Sequence, residues 1–409
     1  MNNILKFLFR GVASSSNLIL AIMLAAILDK NIAGTFFALQ TTMIVLSLIL
    51  RFGVDENIVR YINVHDVGVV HFLIGNVRVI LMLLALPVML SLYILIKYLG
   101  LTLNLLDVSL FFICIFLFTV SSIFGRFLQA KGKHTSAILI LNLLMPFSLI
   151  ISLYCADLAF TLSAKGVVLC FIFSSLLTFT ISFFTLRVHE NIFDMQAAQN
   201  DLLSSPEFFK SSFCLLCIVF LQNLPFWFIT IYPMKHLGSE SVAILNFNLK
   251  VASGISIFSV FLNFLIAPKV ASNYEFNSHT FFIFYSKFFV FNLVCASFFG
   301  ILLFYSYSYS ISILGVYDYK STIVFFEFII FYILYSLCIY MTMIYSMTGR
   351  QKLSFYIYLF TIFLFLLASN SILNEKIESY SYLMLIYIVA NFFLLLVFQI
   401  PYIFRRQNA

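Results

Sequence analysis

Charged residues are scarce in this chain of 409 residues. Asp, Glu, Lys and Arg together make up 10% of it, whereas 63% of the residues are hydrophobic and the mean hydropathy is +1.08. Soluble globular domains are about a quarter charged and about half apolar. A soluble core does not need such an apolar surplus, so we expect lipid to be the solvent for much of the folded surface.

The sequence also lacks the motifs of common enzymes. It contains no phosphate-binding GxxxxGK loop, no GxSxG and no histidines at metal-ligand spacing. We therefore expect no catalytic centre, no metal ion and no cofactor. The net charge of +7 does not predict a nucleic-acid partner, because the basic residues lie in short connections between apolar runs. That distribution is the one that orients a membrane protein.

The seven cysteines offer neither a disulfide framework nor a zinc site. All of them lie inside apolar runs, and the one CxxC motif, Cys214 and Cys217, has no second pair or nearby histidine. We interpret them as packing residues.

Long apolar runs are what the sequence has in abundance. A helix needs about 20 apolar residues to cross the hydrocarbon, and barrel strands would be shorter and would alternate. The sequence therefore predicts an all-α polytopic membrane protein with about twelve transmembrane helices. The runs lie near 11–29, 33–50, 76–97, 106–128, 136–156, 166–186, 209–231, 241–264, 281–305, 321–345, 353–370 and 380–401.

The longest polar stretch, 187–208, divides these runs into two sets of six. We predict an N-terminal six-helix lobe (1–186), a cytoplasmic linker (187–208) and a C-terminal six-helix lobe (209–409). Similar Gly-plus-basic turns in the two halves, "QAKGKH" and "MTGRQK", suggest an internal duplication, although any short cytoplasmic turn attracts these residues. Most of the 23 lysines and arginines fall on the same side as both termini, which predicts that both termini are cytoplasmic.

Two ionisable residues are expected at membrane depth. Lys250 lies near the middle of the eighth run and shares a helical face with Asn246 and Ser253. It is either a cationic site for an anionic ligand or a structural lysine paired with a buried acid such as Glu327, and we favour the first. Glu327 itself could couple transport to a proton or cation, or could be the partner of a buried base.

The segment after the second run, "RFGVDENIVRYI", concentrates charges that are rare elsewhere. Arg51 and Arg60 are candidates for binding a substrate. The alternative is that the two arginines only anchor the chain at the membrane interface, with Asp55 and Glu56 as local ion partners.

Four further polar residues are weaker candidates. Gln222 and Asn223 precede Pro225, which should kink the seventh span, and a kink beside amides is typical of transporter sites as well as of simple packing. Arg78 and Lys287 lie close enough to cytoplasmic helix ends to snorkel, or they could line a cytoplasmic vestibule.

Two segments that contain these residues also resemble segments of a known protein family. "RFGVDENIVRYI" resembles the R-F-G-(L/V)-D…R segment that follows the second span in Wzx-type polysaccharide flippases. The Lys250 run, ending in "FLIAPKVASNYEF", resembles the corresponding helix and Pro-basic turn of that family. Twelve spans in two halves match the wider MOP exporter superfamily, so the resemblance implies a MATE-like, V-shaped bundle.

The resemblance further implies a function in the bacterial inner membrane. Such flippases move undecaprenyl-pyrophosphate-linked oligosaccharide repeat units to the periplasmic leaflet by alternating access, with an ion gradient as the expected source of energy, and they belong to O-antigen and lipopolysaccharide biosynthesis. Arg51, Arg60 and Lys250 would hold the pyrophosphate and glycan head, with Asn246, Gln222 and Asn223 lining the same cavity. A polysaccharide polymerase and a chain-length regulator would be partners, together with the membrane lipids.

Two alternatives stay open. A MATE-type drug exporter would share the fold, but cationic drugs favour an acidic cavity, whereas the candidates here are mainly basic. A membrane-embedded polysaccharide polymerase or ligase would also have many spans, but such enzymes typically have a large periplasmic loop, and all the predicted periplasmic connections here are short.

Overall fold

The computed structural model describes residues 3–55, 57–58, 78–159, 162–189, 206–257, 259, 278–314, 316–347, 351–373 and 376–405. The regular elements in these ranges are helices. In chain order they are α1 (Asn3–Ile27), α2 (Lys30–Arg51), α3 (Arg78–Tyr98), α4 (Leu105–Ala130), α5 (His134–Ile138), a π-helical turn (Leu139–Leu143), α6 (Leu144–Ala159), α7 (Ala164–His189), α8 (Pro206–His236), α9 (Ser239–Ala252), α10 (Ser278–Leu314), a 3₁₀ turn (Tyr317–Tyr319), α11 (Thr322–Met347), α12 (Gln351–Ile372) and α13 (Ile377–Arg405).

Membrane-spanning helices dominate this part of the chain. Ten helical segments in it are long and apolar enough to cross a bilayer. They coincide with ten of the twelve apolar runs, and the remaining two runs correspond to α1 and to α9 with the residues that follow it. The segment α5–π turn–α6 counts as one span, Thr135–Ala159. The all-α polytopic class predicted from the sequence is confirmed.

The chain forms two compact units, Met1–Ser239 and Glu240–Ala409. Within the first unit α8 packs against α2, so the contacts group α8 with the helices that precede it. The predicted linker lies largely outside the described residues, which resume at 206. The predicted division into lobes at 187–208 therefore stays a prediction.

Helix α2 is the centre of the first unit. It packs against α3, α4, α7 and α8, and 78% of its membrane-spanning window is buried, compared with 28% for α3. A helix that is apolar on all sides is either buried or faces lipid. Here α2 is the buried helix, whereas α3 presents large exposed side chains such as Leu83 and Leu86.

The π-helical turn before α6 has an identifiable cause. Pro146 follows the turn and has no backbone N–H, so it cannot donate to the carbonyl of Asn142 four residues earlier. That carbonyl instead accepts a hydrogen bond from the Ser16 hydroxyl of α1 at 2.7 Å. Interhelical bonds of this kind satisfy backbone groups that proline frees inside a membrane.

Helix α11 is the corresponding centre of the second unit, with α10, α12 and α13 packed around it. Polar side chains join these helices from inside. Asn292 of α10 donates to the carbonyl of Ser336 at 3.2 Å, and Tyr345 of α11 donates to the carbonyl of Leu395 at 3.0 Å. Hydrogen bonds between helices replace the hydrophobic driving force that lipid-embedded helices lack.

Candidate functional site

The charged segment "RFGVDENIVRYI" starts with Arg51 at the end of α2, and a left-handed turn follows directly. Phe52 has φ of 51° and Gly53 has φ of 71°, and the Phe52 N–H bonds the carbonyl of Ile49. A left-handed phenylalanine is uncommon because its Cβ crowds the following carbonyl. A Cβ on Gly53 would lie 2.1 Å from the carbonyl oxygen of Ser212. Glycine is therefore required at this position both for its backbone conformation and for the close approach of α8.

The Arg51 guanidinium bonds two residues that lie four positions before and after it in the chain, Ser47 and Asp55. Its Nη1 donates to Asp55 Oδ2 at 2.8 Å, its Nη2 to the Ser47 hydroxyl at 3.1 Å, and its Nε to the Ser47 carbonyl at 3.2 Å. The two charged side chains are only 11% and 6% exposed. Three of the five guanidinium donors are therefore engaged, and the Arg51 charge is already paired.

The same turn is fastened to α8. Asn57 donates to the Ser212 hydroxyl at 3.0 Å, and the rings of Phe52 and Phe213 lie 5.8 Å apart. These contacts account for the occurrence of Arg, Phe, Gly, Asp and Asn so close together in the sequence. They form a compact junction between the end of α2 and the start of α8.

The side chains of three candidates in this region are not described. Arg60 and Glu56 lie outside the described residues, so their predicted roles are not addressed by the structure. Arg78 is the first residue of α3, and its backbone alone is described.

The predicted eighth span is interrupted, which corrects the continuous helix expected over 241–264. Helix α9 ends at Ala252, a turn follows at Ser253, and helical structure resumes at Gly254. The Ser253 hydroxyl bonds the carbonyl of Lys250 at 2.6 Å, and the Ser256 hydroxyl bonds that of Ser253 at 2.7 Å. Serine side chains thus satisfy carbonyls at the break, as the low dielectric of a membrane requires.

Lys250 lies in the last turn of the first half of this broken helix. Its side chain is partly buried, and no carboxylate within the described ranges forms an ion pair with it. A lysine near a helix C-terminus is favoured by the helix dipole, but an ammonium at membrane depth also needs water or an anion. Discontinuous helices near the membrane midplane are typical sites in transporters.

The neighbours of Lys250 add polar groups. Asn246 is 2% exposed and donates to the carbonyl of Val242 at 3.0 Å, so its amide is turned at least in part toward its own helix. Tyr332 of α11 lies beside Ser253. Nothing in the sequence pattern pointed to Tyr332, because it is 79 positions from Ser253 in the chain.

Glu327, the acid named as a possible partner of Lys250, forms no ion pair with it, and the choice between a binding lysine and a structural one stays a prediction. It accepts a hydrogen bond from the Ser381 hydroxyl of α13. Its side chain is partly exposed near the start of α11. A partly exposed carboxyl group can take up a proton or a cation. The coupling role predicted for Glu327 stays a prediction.

The remaining candidates lie on helices α8 and α10. Helix α8 continues through Pro225 without a break. Asn223 donates to the carbonyl of Val219 at 2.8 Å, and Gln222 is partly buried on the same helix. Lys287 is exposed on α10. Four of the described candidates, Arg51, Arg78, Gln222 and Asn223, lie in the first unit, and the other four, Asn246, Lys250, Lys287 and Glu327, lie in the second.

Among the described residues, no group of three or more His, Cys, Asp or Glu side chains is arranged to hold a metal ion. Cys214 and Cys217 are free thiols on α8.

Comparisons with known proteins identify the fold. No protein-family model matches the sequence, and no curated protein matches it either. Solved structures do match. One is the inward-facing conformation of a multidrug resistance MATE family transporter of the MOP superfamily, with a TM-score of 0.72, 13% identity and full coverage of both chains.

Two further solved structures match the chain over nearly its whole length. The outward-facing conformation of a multidrug resistance MATE family transporter matches with a TM-score of 0.65 and 13% identity over 98% of this chain and 94% of that one. A MOP superfamily transporter from Pyrococcus furiosus, described by a reverse polarity of its binding pocket that suggests a different function, matches with a TM-score of 0.64 and 13% identity over 95% and 91%. The chain therefore has the fold of the MATE transporters of the MOP superfamily, with about twelve transmembrane helices.

Proposed function

We propose that this protein flips undecaprenyl-pyrophosphate-linked oligosaccharide repeat units from the cytoplasmic to the periplasmic leaflet of a bacterial inner membrane. The fold supports a membrane transporter that works by alternating access. Sharing the fold leaves the substrate open, because unrelated cargoes use the same scaffold.

The observation that carries the proposal is that Lys250 forms no ion pair with any described carboxylate. A lysine at membrane depth costs about 2.5–3.5 kcal/mol on insertion scales, and Lys250 has no ion-pair partner among the described residues to offset that cost. Its ammonium, at a helix break lined by Ser253 and Ser256, suits a phosphate oxygen of the substrate head. Arg60 and Arg51 would assist at the cytoplasmic mouth, Arg51 through the two donors that Asp55 and Ser47 leave unused.

The remaining predicted roles belong to the same proposal. Both termini face the cytoplasm, Asn246, Gln222 and Asn223 lie along the substrate path, and Arg78 and Lys287 contribute to a basic vestibule. Glu327 couples flipping to an ion gradient by exchanging a proton or a cation. A polysaccharide polymerase and a chain-length regulator receive the flipped O-antigen or capsule unit.

A MATE-type drug exporter is the second candidate, favoured by the multidrug transporters among the similar structures. The charge of Lys250 argues against a cationic drug beside it, because like charges in a low dielectric repel strongly. The reverse polarity described for the Pyrococcus protein supports the view that pockets in this fold differ in charge and cargo.

Reconstitution in proteoliposomes separates the two candidates. Wild-type protein should flip a fluorescent pyrophosphate-linked glycan lipid, and the Lys250→Gln variant should be roughly ten- to a hundredfold slower, as expected for the loss of one charge-assisted hydrogen bond. Lys320→Gln, which removes an exposed lysine of the same unit, should flip at the wild-type rate. Uptake of cationic drugs without any glycan-lipid flipping would instead establish the exporter.

A further inference from the structure

The first unit contains a groove that none of the candidate substrate-binding residues lines. It has a volume of about 390 Å³ and is walled by α2, α3 and α8, with Leu46, Leu95, Phe220 and Trp227 among its lining residues. Ligand pockets commonly enclose about 300–1,000 Å³. The groove is thus large enough to hold part of a ligand rather than only a packing defect.

The lining is almost entirely hydrocarbon. A hydroxyl in the wall, that of Ser91, already bonds the Val88 carbonyl of its own helix at 2.9 Å. Ile94 lines the groove and is 59% exposed, on the same outward face of α3 as Leu86 and Leu90. Because this face lies in a membrane-spanning helix, the groove opens toward lipid, and a lipid chain fits it better than water does.

Two lysines lie near the end of the groove that Tyr98 lines. Tyr98 lines the groove, and the ammonium of Lys235 lies 5.4 Å from the centre of its ring. Lys97 directly precedes Tyr98 in the chain, and its ammonium lies 5.3 Å from the centre of the ring of Tyr93, which is not itself a lining residue. Both lysines are exposed in the last turns of α3 and α8, where those helices reach the membrane interface, and the described residues supply no ion-pair partner for either.

We propose that this groove binds an anionic phospholipid, with one acyl chain against Trp227 and the phosphate between Lys97 and Lys235. The apolar wall and the two nearby lysines match the two parts of such a lipid, and the lysines lie at the bilayer surface, where lipid phosphates already are. The site does not depend on the proposed function, because it needs neither a glycan nor Lys250.

Trp227 provides a direct probe, because it is the only tryptophan in the chain and it lines the groove. The full-length protein is placed in phosphatidylcholine vesicles that contain acyl-brominated lipid, since bromine quenches tryptophan emission on contact. Brominated phosphatidylglycerol should quench Trp227 at a much lower mole fraction than brominated phosphatidylcholine, with each lysine contributing about fivefold to the preference.

Matched variants test the two halves of the site. Lys97→Gln with Lys235→Gln should abolish the headgroup preference, whereas Lys165→Gln with Lys320→Gln, which removes two exposed lysines elsewhere, should preserve it. Ser91→Phe should fill the groove and relieve the quenching without unfolding the protein.

Equal quenching by both brominated lipids, an unchanged preference in the Lys97/Lys235 variant, or quenching that persists in Ser91→Phe would overturn the proposal. Displacement by undecaprenyl phosphate but not by unbrominated phosphatidylglycerol would overturn it too, in favour of a polyprenyl chain.

Discussion

At the scale of single residues, the structure places Arg51 and Lys250, the two basic groups that the sequence singled out most strongly, in different surroundings. Arg51 is neutralised by Asp55 and held by Ser47 in a nearly buried pair. Lys250 has no acidic partner among the residues that the structure shows. A paired charge mainly holds local structure together, whereas an unpaired one at membrane depth is a group still able to bind.

The Arg51–Asp55 pair should therefore matter for stability. Asp55→Ala leaves a nearly buried guanidinium without its partner and is expected to lower the free energy of unfolding by about 3–5 kcal/mol. Unfolding titrations in detergent micelles measure this. The double variant Arg51→Met/Asp55→Leu should recover most of the loss, and Asp157→Ala, at an exposed position on α6, should change the stability by less than about 0.5 kcal/mol. A double variant as unstable as Asp55→Ala alone would contradict this role of the pair.

At the scale of elements, two interruptions of helical structure position the candidates. The left-handed turn after α2 brings Gly53 against α8, and the break after α9 places Lys250 at the end of a half-helix. One interruption fixes a junction between helices, and at the other the hydroxyls of Ser253 and Ser256 bond the carbonyls of the break.

Gly53 and Gly100 form a matched pair for testing the junction. Their φ angles are 71° and 67°, so alanine at either position bears a similar backbone cost of roughly 1–2 kcal/mol. A Cβ at Gly100 meets nothing within 4 Å, whereas at Gly53 it meets the Ser212 carbonyl. In the same unfolding titrations Gly53→Ala should be less stable than Gly100→Ala by a further 1–3 kcal/mol or so. Equal losses would mean that the approach of α8 is not tight.

The break after α9 makes a separate prediction. Replacing Ser253 and Gly254 together by alanine favours a continuous helix by roughly 1 kcal/mol, so the variant should be at least as stable as the wild type. Because the Lys250 side chain would then lose its place beside the break, glycan-lipid flipping in proteoliposomes should fall steeply. Wild-type flipping by this variant would show that the break has no part in transport.

At the scale of the whole molecule, the sequence predicts the class of fold well, because an unbroken apolar run of about 20 residues is suited above all to a helix that crosses a bilayer. It does not predict the finer features. A left-handed phenylalanine has no sequence signature, and a Ser-Gly pair inside an apolar run is compatible with a continuous helix. The Arg51–Asp55 pair was predictable from its spacing of four residues, but the bond between Glu327 and Ser381 joins positions 54 apart, which no local pattern reveals.

The orientation in the membrane is also open to a direct test. The excess of lysine and arginine on one side predicts that the polar stretch at 187–208 is cytoplasmic. A tag inserted there should be inaccessible to a membrane-impermeant label in intact cells and accessible after lysis. Labelling in intact cells would reverse the topology and reopen the polymerase or ligase alternative.

The central claim is that Lys250 binds the phosphate of an anionic lipid-linked head. The most direct measurement is the equilibrium affinity of the purified protein for undecaprenyl pyrophosphate, compared among wild type, Lys250→Arg and Lys250→Met. We expect Lys250→Arg to keep most of the affinity and Lys250→Met to lose roughly ten- to a hundredfold, with a weaker dependence on salt. Equal affinities for wild type and Lys250→Met would contradict the claim.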